Sequence, residues 1–127
     1  LAPTAFGEGN RLFTEFKGAL SENYALQSLV TQFETEPRYW SRVNPPYEVD
    51  FLIQRGNDIF PVEVKAETNV GGKSLRKFKE LFAEQVKLRV RLSLENLKLD
   101  GDLLNIPLFM ADHTDRLIGM AMKRLGC

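Results

Sequence analysis

Two short apolar runs joined by Gly56-Asn57 constrain the fold of this chain more than any other feature. The first run covers residues 48–55 and the second covers residues 58–66, and both are rich in β-branched side chains. A two-residue loop between strands requires backbone conformations with positive φ, which Gly and Asn tolerate. The sequence therefore predicts an antiparallel β-hairpin with Gly56-Asn57 at its tip.

The register of this hairpin brings two carboxylates together. Counting back from the loop along both strands places Asp50 directly opposite Glu63. The two residues would form a non-hydrogen-bonded pair, in which Cα atoms approach to about 4.5 Å. Lys65 projects from the same face as Glu63, because side chains alternate between faces with a period of two. The other face of the hairpin is predicted to point toward a core and carries Phe51, Ile53, Val62 and Val64.

This cluster of two acids and a lysine has two interpretations. Like charges directly opposite on a sheet are destabilising unless positive charge lies between them. Lys65 supplies part of that charge, and a divalent cation such as Mg²⁺ or Mn²⁺, which prefers hard oxygen ligands, would supply more. The alternative is a solvated ion pair of Glu63 and Lys65, which adds little stability. Because all three charges converge on one face of a hairpin whose other face is apolar, the metal site is favoured.

A third acid, Glu22, lies in a segment with helical periodicity at residues 11–33. Its stripe also carries Leu26, Leu29 and Phe33. An acid on a core-facing stripe requires a partner. However, Gly18 interrupts the pattern, so the helix could begin near Ala19, and Glu22 would then be a favourable acid at a helix N-terminus. The residues alone leave both interpretations open.

A basic helix is predicted at about residues 74–82, with Ser74 as its N-cap and an apolar inner face. Four cations crowd its outer surface and are the best candidates for contacts with a phosphate backbone: Lys73, Arg76, Lys77 and Lys79. Gly72-Lys73-Ser74 resembles the end of a phosphate-binding loop. The earlier glycine that such a loop requires is replaced by Glu67, which argues against a nucleotide site in this fragment.

The remaining elements complete an α/β fold. A strand at residues 38–42 would form a three-stranded antiparallel meander with the hairpin. Residues 87–93 alternate apolar and polar side chains, as a half-buried strand does. A second hairpin is predicted around Asp100-Gly101, followed by a closing helix at residues 114–125.

Composition excludes several classes of protein. A chain of 127 residues is expected to form a single domain, with residues 1–10 as a lead-in or linker. The 17 basic and 17 acidic residues cancel, so any nucleic-acid binding is expected to be local and weak. His113 is the only histidine, which excludes a Ser-His-Asp triad or a multi-histidine zinc site within the chain. One cysteine, Cys127, and the lack of a long apolar run predict a cytoplasmic protein without membrane contact.

The acidic cluster resembles a known superfamily. Asp50 followed by Glu63-Val64-Lys65 is similar to the D…(D/E)-x-K signature of the PD-(D/E)XK, restriction-endonuclease-like superfamily. Val49 departs from it, because the superfamily's name has proline before the first acid.

The sequence over a longer stretch resembles the uncharacterised domain at the C-terminus of many prokaryotic AAA-type ATPases. The similarity extends from about Phe16 to about Phe109. It is carried by residues 16–24, Tyr39-Trp40, residues 48–53 and residues 61–66. The chain begins with Leu1 rather than methionine, which fits a C-terminal fragment preceded by an ATPase domain.

These resemblances imply a restriction-endonuclease-like core, in which a mixed sheet with an antiparallel hairpin is flanked by helices. They also imply residue roles. Asp50 and Glu63 would bind Mg²⁺ or Mn²⁺ together with the Val64 carbonyl. Lys65 would orient or deprotonate the attacking water. Glu22 matches the glutamate that the superfamily commonly carries on its first helix, and it would hold a ligand water or a second metal.

The implied function is metal-dependent phosphodiester cleavage of nucleic acid by a nuclease-like domain. The alternative is a catalytically inactive nuclease-like module that binds nucleic acid or protein and regulates the attached ATPase. The two differ in what they require, because cleavage needs the metal and Lys65 whereas binding needs only a complementary surface.

Overall fold

The computed structural model describes residues 3–43, 47–66 and 73–127, with side chains described from residue 17 onward. The elements in chain order are α1 (Pro3–Val30), β1 (Arg38–Arg42), β2 (Tyr47–Arg55), β3 (Asp58–Lys65), α2 (Lys73–Leu81), β4 (Arg89–Ser93), β5 (Lys98–Asp100), β6 (Leu103–Pro107), a 3₁₀ helix (Leu108–His113) and α3 (Thr114–Arg124).

The strands form one mixed sheet in the order β1-β2-β3-β4-β6-β5. Strands β1, β2 and β3 form the predicted antiparallel meander. Strand β4 is parallel to both β3 and β6, and β5 returns antiparallel to β6. Because parallel neighbours require a crossover, α2 lies between β3 and β4 in the chain. The α/β class and the mixed sheet are confirmed.

Helices cover both faces of this sheet. The larger apolar cluster joins one face to α1 and α3 and contains Ile53, Val62, Val64, Val90, Leu92, Ala25, Leu29 and Ile118, among others. A smaller cluster lies under α2 on the other face and contains Val49, Leu75, Phe78 and Val86. Trp40 packs its ring edge-on against Phe78, with centroids 5.0 Å apart. The predicted core face of the hairpin is therefore correct.

The hairpin has the predicted register. Arg55 is opposite Asp58, and pairing continues to Phe51 opposite Val62. Gly56 has a φ of 63°, which only glycine adopts without strain, so the loop depends on this residue. Pro61 faces Leu52, and the pairing of β3 with β4 begins one residue later, at Val62. The missing donor of Pro61 is thus placed just before the parallel ladder starts.

Helix α1 differs from the prediction at its start. It begins at Pro3, so residues 3–10 are helical rather than a linker, and Gly18 does not interrupt it. A glycine costs a helix only about 1 kcal/mol, which packing of its buried face against the sheet offsets. The start near Ala19 is therefore wrong. Of the predicted stripe, Leu29 is buried and Phe33 packs against the core, whereas Glu22 is exposed. The other buried residues of α1 are Ser21, Ala25 and Ser28.

The later elements agree with the predictions to within one or two residues. The second hairpin turns at Gly101 and Asp102, where Gly101 has a φ of 58°. Helix α2 begins at Lys73, so Ser74 is inside the helix rather than its cap. His113 is exposed at the end of the 3₁₀ helix, next to α3. The predicted turn at residues 44–46 and the loop at residues 67–72 lie outside the described residues.

None of the helices in the described residues combines the length and the apolar character that a membrane crossing requires.

Candidate functional site

A β-bulge places Asp50 where the hairpin ladder ends. Between Arg38 and Trp40, β1 advances two residues, whereas its partners Leu52 and Val49 are three residues apart, so the extra residue lies in β2. A bulge bends its strand and turns a side chain out of the regular alternation. Val49 thereby joins Leu52 on the α2 face, and the bulge falls at residues 50–51.

At this point the Asp50 carboxylate accepts a hydrogen bond from the neighbouring strand, as a backbone carbonyl does within a ladder. The backbone N–H of Val64 donates a hydrogen bond of 2.8 Å to Asp50 Oδ2. The last paired residues of β2 and β3 are Phe51 and Val62, so this bond extends the contact between the strands beyond the ladder. Asp50 is thus fixed beside Glu63 and Lys65 by a bond that leaves its second oxygen for another partner.

Glu63 lies on the α2 face of β3, and its side chain is only 14% exposed. Its Oε1 atom is 3.7 Å from Lys65 Nζ, in an ion pair rather than a close hydrogen bond. Its Oε2 atom is buried and has no hydrogen-bond partner among the residues that the structure describes. A buried carboxylate oxygen normally has a partner, because losing its hydration costs free energy. Among the described residues, Oε2 is therefore an acceptor that is still open to a partner.

Burial and the charge of a neighbouring acid both raise the pKa values of Asp50 and Glu63. The pKa of Glu63 is raised chiefly by its burial and also by the Asp50 charge, while Lys65 and Arg91 partly oppose the rise. The pKa of Asp50 is likewise raised by burial, although the Val64 N–H and Lys65 favour its ionised form. Burial therefore disfavours the ionised form of each carboxylate.

Glu22 joins the same acidic cluster from α1. Its side chain is exposed, but its pKa is raised by partial burial and then by the charges of Asp50 and Glu48, with Lys65 opposing. Glu48 is held by the Tyr39 hydroxyl, which donates a hydrogen bond of 2.5 Å. The helix N-terminus interpretation of Glu22 is wrong, because the residue lies well inside α1. The charge of Asp50 acts on Glu22, and a role of Glu22 in the site stays a prediction.

Strand β4 contributes a cation that the sequence did not reveal. Arg91 is the parallel neighbour of Glu63 and is 15% exposed. Its Nε–H donates to Asn105 Oδ1 at 3.1 Å, and the Ser93 hydroxyl donates to the same oxygen at 2.7 Å. Asn105 is anchored in turn by donating to the carbonyls of Glu95 and Asn96. This network fixes Arg91 beside the acids.

The donor set fits a hard divalent cation held mainly by two carboxylates. Within the described ranges, no group of three or more His, Cys, Asp or Glu side chains is arranged to hold a metal ion. Mg²⁺ sites commonly use one or two carboxylates, with waters and substrate phosphates as the other ligands. The unpartnered Glu63 Oε2 and the second oxygen of Asp50 supply that number. A predicted ligand role for the Val64 carbonyl stays a prediction.

The four predicted nucleic-acid contacts on α2 differ in availability. Lys79 pairs with Asp102, which also accepts hydrogen bonds from Arg89, and the paired cations lower the pKa of Asp102 to about 2. Lys77 lies 3.7 Å from Glu80. Lys73 and Arg76 are exposed. The basic surface is therefore partly neutralised by acids of the same chain.

Substitutions of Asp50 separate its charge from its hydrogen bond. In metal-free protein, Asp50→Asn keeps an oxygen acceptor for the Val64 N–H and removes a crowded charge, so we expect unchanged or slightly higher stability. Asp50→Ala leaves that N–H without a partner, and we expect a loss of about 1–3 kcal/mol. Urea unfolding of both variants measures the difference. Equal losses in the two variants would contradict the hydrogen-bond role.

The Asp50 carboxyl is also expected to make the stability of the domain depend on pH. Because its folded pKa is raised, the folded state binds more protons than the unfolded state between the ordinary and the raised pKa. Wild-type stability should therefore fall as pH rises through this window, starting near the ordinary value of about 4. Asp50→Asn should flatten the fall in a series of urea unfolding curves at increasing pH. A steeper fall in the variant would contradict the burial of this charge.

Comparison with known families identifies the chain at the level of a family. The family described as "Domain of unknown function (DUF4143)" matches residues 17–109. The chain belongs to this uncharacterised domain family. The match agrees with the sequence resemblance to an uncharacterised domain. No curated protein matches the chain, and no solved structure matches it.

Proposed function

We propose that this domain is a metal-dependent phosphodiesterase that cleaves nucleic acid, with Asp50, Glu63 and Lys65 as its principal residues. The observation that supports this most is the buried Glu63 Oε2, which lacks a hydrogen-bond partner among the described residues and lies beside a second acid and a lysine. An oxygen-lined site with excess negative charge suits a divalent cation better than it suits a folded apo state. The restriction-endonuclease-like relationship is part of this proposal.

The chain's own residues have separable tasks in this reaction. Asp50 and Glu63 would hold Mg²⁺ or Mn²⁺, which when bound neutralises the phosphate charge and activates water. Lys65, which is 38% exposed, would donate hydrogen bonds to the attacking water or to a phosphate oxygen. Hydrolysis joins the water oxygen to phosphorus and breaks one bridging P–O bond. The attacking water gives up a proton to solvent, and the leaving oxygen takes one from solvent.

Glu22 and Arg91 would act at the edges of the site. Glu22 reaches the cluster from a different element, so it would orient a water rather than replace either ligand of the metal. Arg91 is fixed by Asn105 and would keep positive charge beside Glu63 during turnover. This arrangement places both groups without requiring them to bind the metal.

A non-catalytic module is the second candidate function. Its support is that Asp50 already has a structural role, because it accepts the Val64 N–H. Such a module would bind nucleic acid or protein and regulate an attached ATPase. The partial neutralisation of the α2 cations leaves Lys73 and Arg76 as the residues that would contact phosphates.

Metal binding tests the proposed site. A ligand that binds only the folded state at ten times its Kd adds about 1.4 kcal/mol, which raises the Tm of a domain of this size by roughly 5 °C. We expect Mn²⁺ to produce such a shift in the wild type and not in Asp50→Asn. The matched control is Asp58→Asn, at the opposite end of β3, where Asp58 pairs with Lys87. Equal shifts in all three proteins would contradict the site.

A further inference from the structure

A second feature at the same edge of the sheet is an apolar cleft. Its volume is about 390 Å³, and it is lined by Tyr24, Ser93, Leu94, Pro107, Leu108 and Phe109. Three of these residues are exposed to an unusual degree for apolar side chains: Phe109 by 79%, Leu94 by 54% and Tyr24 by 44%. Exposed apolar surface that surrounds a cleft is typical of a binding site.

The position of the cleft connects it to the proposed site. Ser93 is the parallel neighbour of Lys65, and Pro107 is the neighbour of Ser93 on the next strand. Adjacent strands are about 4.8 Å apart, so the cleft begins one strand away from Lys65. A phosphate at Lys65 would therefore leave the neighbouring nucleotide next to the cleft.

We propose that this cleft holds an unpaired base of a nucleic-acid strand, which stacks on Phe109 and Tyr24 while its phosphate lies at Lys65. The inference rests on the proposed function and names its substrate as single-stranded or splayed nucleic acid. Aromatic side chains accept any base by stacking and need no base-specific hydrogen bond. The cleft fits this role because it combines two aromatic rings with an almost wholly apolar lining.

Duplex nucleic acid does not meet these requirements. Its bases are stacked on each other and offer no free face, so occupying the cleft would require the cost of unstacking a base. The chain also has no net charge, so the phosphate contacts that dominate duplex binding are few. A single strand can stack a base in the cleft, and this stacking compensates for a small number of phosphate contacts. Single strands should therefore bind more tightly than duplexes of the same sequence.

Binding of a short fluorescein-labelled oligodeoxythymidine, measured by anisotropy at low salt with EDTA, tests this inference. EDTA prevents cleavage and removes metal, so the result is independent of whether the domain is an enzyme. Phe109→Leu keeps an apolar side chain of similar size and removes the ring. Because stacking on one ring contributes substantially to each base, we expect about tenfold weaker binding. Tyr24→Leu should weaken binding in the same direction.

Two further variants test whether the aromatic ring at position 109 is what binds the base. Phe109→Trp preserves a stacking surface and should bind at least as tightly as the wild type. Phe82→Leu is the control, because Phe82 is a partly exposed ring that packs next to Trp40 and does not line the cleft. Unchanged affinity in Phe109→Leu, or the lack of saturable binding by the wild type, would overturn the inference.

The test also separates this inference from the proposed function. Weaker binding in Phe109→Leu supports the cleft even if no preparation binds Mn²⁺. Conversely, a Mn²⁺-dependent Tm shift with unchanged oligonucleotide affinity in Phe109→Leu would leave the metal site intact and overturn the cleft.

Discussion

Val64→Asp is expected to unfold this domain or to lower its stability by several kcal/mol. Val64 is 7% exposed and belongs to the larger apolar cluster, which joins the sheet to α1 and α3. An aspartate there would be buried without a partner, and desolvation of an unpaired charge is among the most costly single changes. The same residue donates its backbone N–H to Asp50, so distortion of β3 would also disturb the acidic cluster.

Val43→Asp is the matched control for this experiment. Val43 is 89% exposed just after β1, so the same chemical change there should alter the free energy of unfolding by less than about 0.5 kcal/mol. Circular dichroism and urea unfolding of both variants measure the difference. If Val64→Asp is as stable as Val43→Asp, the hairpin faces have been assigned the wrong way round.

The hairpin could be predicted from sequence because its signals are local. A two-residue loop fixes the register, and the period of two then decides which side chains share a face. This reasoning put Val62 and Val64 in the core, as the structure has them. The described ladder ends at Phe51 and Val62, one position before the predicted pairing of Asp50 with Glu63. Neither step required knowledge of any other element.

The parts of the site that depend on distant elements were not predictable in the same way. The pairing of Glu63 with Arg91 arises because β4 lies parallel to β3 after a crossover, and no local pattern specifies which strands become neighbours. The alternation at residues 87–93 indicated a strand, but not its partner. No glycine marks the position of the bulge at Asp50 in the sequence. The bulge depends instead on how β1 pairs with β2.

Helix α1 shows how tertiary packing overrides a local signal. Gly18 lowers helix propensity, yet the helix continues through it because Ala25 and Leu29 are fully buried against the sheet. The buried stripe includes the two small polar residues Ser21 and Ser28, which an apolar periodicity does not detect. Apolar periodicity therefore identifies Leu29, which is buried, and Phe33, which packs against the core, but not the small residues of the stripe.

The other large effect is expected at Lys65, whose replacement should remove catalysis without unfolding the domain. Lys65 is 38% exposed and its only close ion pair in the described structure is the 3.7 Å contact with Glu63. Glu63, the buried partner, already has a raised pKa and can take up a proton when the lysine is absent, so Lys65→Ala should remain folded. A group that positions the attacking water or stabilises developing charge typically contributes a factor of about 100 or more to the rate.

Lys87→Ala is the matched control, because Lys87 pairs with Asp58 at the opposite end of β3. It removes a similar exposed lysine without touching the acidic cluster. A general loss of positive charge would weaken both variants alike, whereas loss of a catalytic group would affect only Lys65→Ala.

Cleavage of labelled single- and double-stranded DNA and RNA in the presence of Mn²⁺ is the most direct measurement of the proposed activity. We expect the wild type and Lys87→Ala to cut, with single strands preferred, and Lys65→Ala to be slower by about 100-fold or more. Cutting at equal rates by all three proteins would show that the activity does not arise at this site. No cutting by a wild type that binds Mn²⁺ would contradict the phosphodiesterase and favour the non-catalytic module.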